Sequence, residues 1–175
     1  MALTADNVNV AVTGKVYVAP TTATAPTGSD STLTGFTELG YVSADGITVT
    51  HDRSTSQIRA WQNSDLVREV TTEATTTYAL MLLESNEDVI EAYFGATITG
   101  GKIQVNPSST GGRKSWVIDV VDGADVIRHY IPTGEVTAVE AQTFANGEAI
   151  GYGITITAYV ANDRVADVFY GAFEA

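Results

Sequence analysis

The chain has no cysteine, only 4 prolines and 2 histidines in 175 residues, and 9 basic residues against 21 acidic ones. Each shortage removes a class of explanation. Without thiols there is no disulfide framework, no thiolate metal site and no cysteine nucleophile, so stability must come from packing or association. A formal net charge of −12 argues against a surface that grips phosphates, because nucleic-acid binders concentrate Lys and Arg. It does not argue against DNA passing near an acidic wall, where like charge prevents adhesion. No window approaches ~18 consecutive apolar residues, and the opening MALTADNVNVAV lacks a basic segment followed by an apolar block. Neither a membrane span nor a signal peptide is therefore expected, and folding is expected in a cytoplasm. Charged residues are only 17% of the chain; a composition rich in Gly, Ser, Thr and Ala suits β-structure in an assembly better than a helical enzyme.

What is present is β-pattern, above all in LVREVTTEATTTYALMLLE, residues 66–84. At ~3.3 Å per residue an unbroken strand here reaches on the order of 60 Å, well past the usual ~3–10 residues. A period of two puts Glu69, Thr71, Glu73, Thr75 and Thr77 on one face and Val70, Ala74, Tyr78, Leu80 and Leu82 on the other. Past Tyr78 the run is apolar on both sides, as when a strand enters a layer covered on both faces. Two readings follow: a sandwich strand with a bulge near residues 75–77, or a strand shared with a larger closed sheet made from several copies.

The remaining pattern predicts one domain, mainly antiparallel β, a sandwich or barrel with one flanking helix. Residues 1–6 read as a loose arm, 7–12 and 15–20 as short strands, and 21–35 as an extended loop, solvated or ordered against a neighbouring copy. Strands at 36–42 and 46–52 are predicted to flank a tight turn at Asp45-Gly46. Residues 53–64 read as a loop bearing Arg53, Arg59 and Trp61, residue types that anchor protein contacts; folding of Trp61 onto its own core is the alternative. Ser85 or Asn86 as cap, Glu87 and Asp88 in the first turn and Gly95 as stop predict the single helix. Strands follow at 97–105, 115–121 and 126–131, then a hairpin of 135–144 and 148–160 hinged on Asn146-Gly147. The last segment, 161–175, holds Val168, Phe169, Tyr170 and Phe173, an apolar tail that closes its own core or docks on the next copy.

No catalytic set, cofactor site or metal site emerges. His51 and His129 have neither zinc nor triad spacing. Asp119, Asp122 and Asp125 around Gly123 lack the alternate spacing and distal Glu of a calcium loop, so they read as a hairpin turn. Residues 110–115, TGGRKS, lack the phosphate-loop spacing and precede a strand. Glu69 and Glu73 would lie ~13 Å apart on one strand face, too far for paired glycosidase carboxylates.

Five stretches together resemble the major tail tube proteins of long-tailed bacteriophages, particularly those infecting actinobacteria: VNVAVTGKVYVAP, GYVSADGITVT, QIRAWQNSDLVRE, ESNEDVIEAYFG and GYGITITAY. The resemblance implies a β-sandwich or barrel subunit, similar to type VI secretion tubes, that forms hexameric rings whose inner strands join around a channel. Rings stack helically into a tube without a sheath, filled during assembly by a tape measure protein and later conducting genomic DNA. Tail terminator and distal tail proteins would meet its ends, and the tail would be assembled in the host bacterial cytoplasm. On this reading Glu69, Thr71 and Glu73 line the lumen, with Glu140 and Gln142 as weaker candidates. Arg53, Arg59 and Trp61, the 21–35 loop, and Phe169, Tyr170 and Phe173 become contacts between copies. A virion decoration or tail-tip domain binding carbohydrate or a receptor is the alternative; it predicts clustered exposed aromatics, and the chain has 2 Trp.

Overall fold

The computed structural model describes residues 8–171; the expected arm at 1–6 and Phe173 lie outside them. The strands are β1 (Thr13–Pro20), β2 (Thr37–Glu38), β3 (Val42–Arg59), β4 (Leu66–Leu82), β5 (Lys114–Asp122), β6 (Asp125–Val139), β7 (Tyr152–Ala158) and β8 (Asp167–Tyr170), with one helix, α1 (Glu87–Phe94). All pair antiparallel in one sheet of order β2-β1-β5-β6-β7-β4-β3, and β8 joins β6. The mainly β class with a single short helix is as the pattern predicts.

β6 turns this sheet back on itself. Its first half pairs with β5 and β8, and its second half, from Gly134 on, with β7. Pro132, between the halves, has no N–H for the ladder, and the β5 register slips there between Lys114 and Trp116. Val16, Val18, Trp116 and Ile118 from one half then meet Tyr78, Leu80, Leu82, Ile154 and Ile156 from the other in the core. Gly134 has no room for a side chain: a Cβ there would lie 2.8 Å from the Trp116 ring. The Trp116 Nε1–H donates to the Gly134 carbonyl at 3.2 Å.

Helix α1 closes this core as its signals predict. Asn86 accepts from the Val89 N–H at 2.9 Å, Gly95 ends the helix at φ 63, and Val89 and Ala92 are buried. The opposite face of β5 and β6 has its own cover, the 21–35 loop. Asp119 and Arg128, paired in register, form a two-pronged ion pair at 2.7 and 2.8 Å, and Arg128 Nη1 also donates to the carbonyls of Ser31 (2.7 Å) and Gly28 (3.1 Å). The loop is thus tied to its own chain at Gly28 and Ser31, while most of its residues stay exposed. Asp119, read in sequence as part of a turn, is its anchor.

Several boundaries differ from the pattern. Residues 53–59 continue β3, because the β-rich 66–75 run supplies a partner along the whole length. The Asp45-Gly46 turn is instead an irregularity inside β3, where the register jumps between Val42 and Ile47 and Gly46 takes φ 73. Residues 97–105 form no strand; Gly100 and Gly101, both at positive φ, close a tight turn bridged by Thr99 and Lys102. Residues 8–12 form none either, although Val12 donates to the Val121 carbonyl at 3.1 Å. The segments at 126–131 and 135–144 are one strand ending at Val139, and β7 is shorter than 148–160. Asn146-Gly147 does sit in the connecting turn, with Gly147 at φ 83.

Candidate functional site

The overlong run is one arm of a projecting ribbon. β4 pairs with β7 only from Thr76 to Leu82; from Thr75 back to Leu66 its one partner among the described residues is β3. The ribbon's hydrogen-bonding mates are therefore first of all within the chain, while its two outer edges stay open. Every residue of 48–59 and 61–75 is exposed. At ~3.3 Å per residue, the part beyond the core extends on the order of 25 Å. The tip is built locally: Ala60 donates to the Asp65 carbonyl at 2.9 Å, Asn63 and Ser64 adopt φ 55 and 56, and Arg59 Nη1 donates to the Ser64 carbonyl at 3.1 Å. Trp61, at this tip, is 99% exposed. It does not fold back on its own core.

The register redistributes the expected lumen residues. Ser54 pairs with Glu73 but Thr55 with Thr71, so Thr72 is an extra residue in β4. Because a bulge breaks the two-residue period, Glu69 and Thr71 share a face with Thr55 and Gln57, and Glu73 falls on the other with Ser54. The expected common face of Glu69, Thr71 and Glu73 is thereby corrected. The Thr55 hydroxyl donates to Glu69 at 2.7 Å and Arg59 to Gln57 at 2.8 Å, a polar network on the first face.

The second face, carrying Glu73, continues onto the side of the sheet turned away from the core. There Thr50, Thr77, Thr157 and Glu135 stand in register across β3, β4, β7 and β6. Asp52 opposes Thr75 one step up, and the Thr137 and Thr157 hydroxyls are 2.7 Å apart. Glu140, just past β6, lies over Gly153 on this same face, where a Cβ would come within 2.7 Å of it. Gln142 donates to the Gly151 carbonyl at 3.4 Å. Thr50, Thr157 and Glu135 were not singled out from sequence; the signal was the run of alternate Thr in three separated strands.

The ribbon guanidiniums stand apart from the other arginines of the described residues. Lys15, Arg113, Arg128 and Arg164 each have a carboxylate partner, whereas Arg53, Arg59 and Arg68 form no ion pair among the described residues. Phe169 and Tyr170 belong to β8 and pair with Arg128 and Ile127 of the same chain. The tail thus completes its own sheet, with Val168 and Tyr170 left exposed. His129 stands edge-on to Tyr78 at a ring separation of 5.9 Å. Burial, then repulsion from His51, lowers its pKa, and burial raises that of Tyr78. Among the described residues no His, Cys, Asp and Glu cluster could hold a metal, and no helix is long and apolar enough to cross a membrane.

Residues 1–170 match the model of a family described as phage tail tube protein. The fold is similar to that of a chain in the sheath-tube complex of an extracellular contractile injection system (PVC) in its extended state. The TM-score is 0.50 at 11% identity, covering 95% of this chain and 93% of that one. A chain of the virion of a native gene transfer agent particle aligns with a TM-score of 0.42 at 6% identity, covering 77% of this chain and 88% of that one. No curated protein sequence matches significantly.

Proposed function

Since this chain belongs to the phage tail tube protein family, a structural family of the virion, we propose that its copies close into rings through the edges of β3 and β6. The rings, six copies each as the resemblance implies, stack into a conduit for the genome. The observation that carries this is the exposed ribbon. An isolated two-stranded β-ribbon is marginal in water, and its open edges are templates for further pairing. The outer edge of β3 is unpaired over its whole length, and that of β6 has no strand beyond Gly134 among the described residues. Joining the first edge to the second on the next copy makes β3, β4, β7 and β6 one repeat of a closed barrel, and closure removes both edges. A groove of about 350 Å³ runs beside the β6 edge, lined by Phe94, Val105, Pro107 and Val139, and leaves room for the incoming strand.

In such a barrel the core lies outside the wall, so the threonine face lines the bore. Thr50, Thr75, Thr77 and Thr157 supply hydroxyls; Asp52, Glu73, Glu135 and Glu140 supply negative charge. On this face Arg113 lies beside Glu135 and the register adds Arg68, so the four carboxylates outnumber the cations and passing DNA finds little counterion-release attraction. Glu69, Thr71 and Gln57 then lie on the outward side of the ribbon. A tape measure protein would fill this bore before the DNA, and terminator and distal tail proteins would meet the ends. Assembly would take place in the host cytoplasm.

Negative-stain microscopy of the purified full chain is the test. Rings or hollow filaments with a central hole are expected; solely compact monomers at high concentration would refute the reading.

A further inference from the structure

A second open feature lies at the opposite pole of the same two long strands. Where β3 begins and β4 ends, a cleft of about 650 Å³ opens between the start of β1 and the irregular stretch of β3; Gly40, Tyr41, Ala44, Ile47 and Glu84 are among its lining residues. Its floor is shaped for contact. Gly40 adopts φ 87 and its bare Cα lets the Glu84 carboxylate lie where any side chain would clash. That carboxylate accepts from the Tyr41 N–H at 2.9 Å but has no cation partner among the described residues. Tyr41 stands 75% exposed at the rim, and Glu38, also in the lining, carries the second acidic group, bridged to Lys15 at 3.3 Å.

We propose that the Trp61 tip of one copy seats in this cleft on a copy in the adjoining layer, stacking against Tyr41 with Arg59, which flanks the tip, facing Glu84 and Glu38. Two observations single out a second copy of this chain as the occupant. The first is complementarity: the ribbon holds the three arginines without a carboxylate, and the cleft holds a carboxylate without a cation. An exposed Trp beside Arg is the combination that dominates contact energies, and the rim tyrosine offers it an aromatic partner. The second is placement. Tip and cleft terminate the same strands at opposite ends, so the contact is head-to-tail, and a head-to-tail contact that does not close propagates as a filament. The inference rests on the tube reading and names the surface that receives the tip.

The absence of native cysteine makes the test direct. The full chain carrying Trp61→Cys and Ala44→Cys, both exposed positions, is assembled, oxidised and run on a denaturing gel without reductant. A ladder continuing past the ring number is expected, collapsing to monomer on reduction; each single variant stops at dimer. Trp61→Cys with Ser43→Cys, also on the cleft, repeats the result if the first pair perturbs folding. Tubes seen by microscopy that yield no ladder with either pair overturn the docking while leaving the tube reading intact. So does a ladder that ends at the ring number, which places the contact inside a ring, or an equal ladder from Trp61→Cys with Asp163→Cys, remote from the cleft. Wild-type chain that makes neither rings nor tubes overturns both.

Discussion

Arg128 ties together segments far apart in sequence, joining β6 to Asp119 and to the loop at Gly28 and Ser31. Its guanidinium and the Asp119 carboxylate are nearly buried, at 7% and 8% exposure, so removing one leaves the other uncompensated. Arg128→Met is expected to cost about 3–5 kcal/mol, read as a lower denaturant midpoint, and to open residues 21–35 to protease before the sheet unfolds. His129 provides a pH dependence. Burial favours its neutral form in the fold, so the unfolded chain binds its proton more readily, and stability rises with pH where that difference exists. The contribution is complete above the unfolded value of about 6.5 and disappears as pH falls through the lower folded value. Calorimetry of unassembled chain between neutral and mildly acid pH is expected to show this slope, reduced in His129→Gln.

At the scale of elements, the helix was legible because its signals are local: a cap, an acidic first turn and a glycine stop act within a few residues. The strand pairing of 53–59 was not, since RSTSQIR has no apolar face and becomes a strand only by lying beside 66–75. The bulge at Thr72 was equally invisible; nothing in TTEATTT marks which Thr is the extra one, yet it moves Glu69 and Thr71 to the other face. This distinction can be measured. Glu73→Lys with Thr75→Lys puts cations on the bore face and is expected to slow DNA ejection while tubes still form. Glu69→Lys with Thr71→Lys is expected to leave ejection unchanged. Equal slowing by both pairs would mean that the register places these residues otherwise.

For the whole molecule, the outstanding property is that a large share of its β-structure packs against nothing within the chain. Trp61 is the extreme case. Because it is 99% exposed, Trp61→Ala is expected to leave the melting temperature of unassembled chain within the small range of surface substitutions, about 0.5 kcal/mol or less. The same change is expected to shorten tubes or leave single rings in micrographs. A drop in the unassembled chain's stability, or tubes of normal length, would remove Trp61 from the contact between layers.

Composition, alternation and capping were enough to establish a β-rich chain with one helix, an overlong central strand, no thiol chemistry and no cationic surface for nucleic acid. These depend on residue type and short-range period, which a sequence carries openly. Which side chains share a face, where the 21–35 loop is held, and that Trp61 points away from the core were decided only by tertiary structure. Each depends on hydrogen-bond register between segments distant in sequence, and a slip of one residue there reverses every side chain that follows.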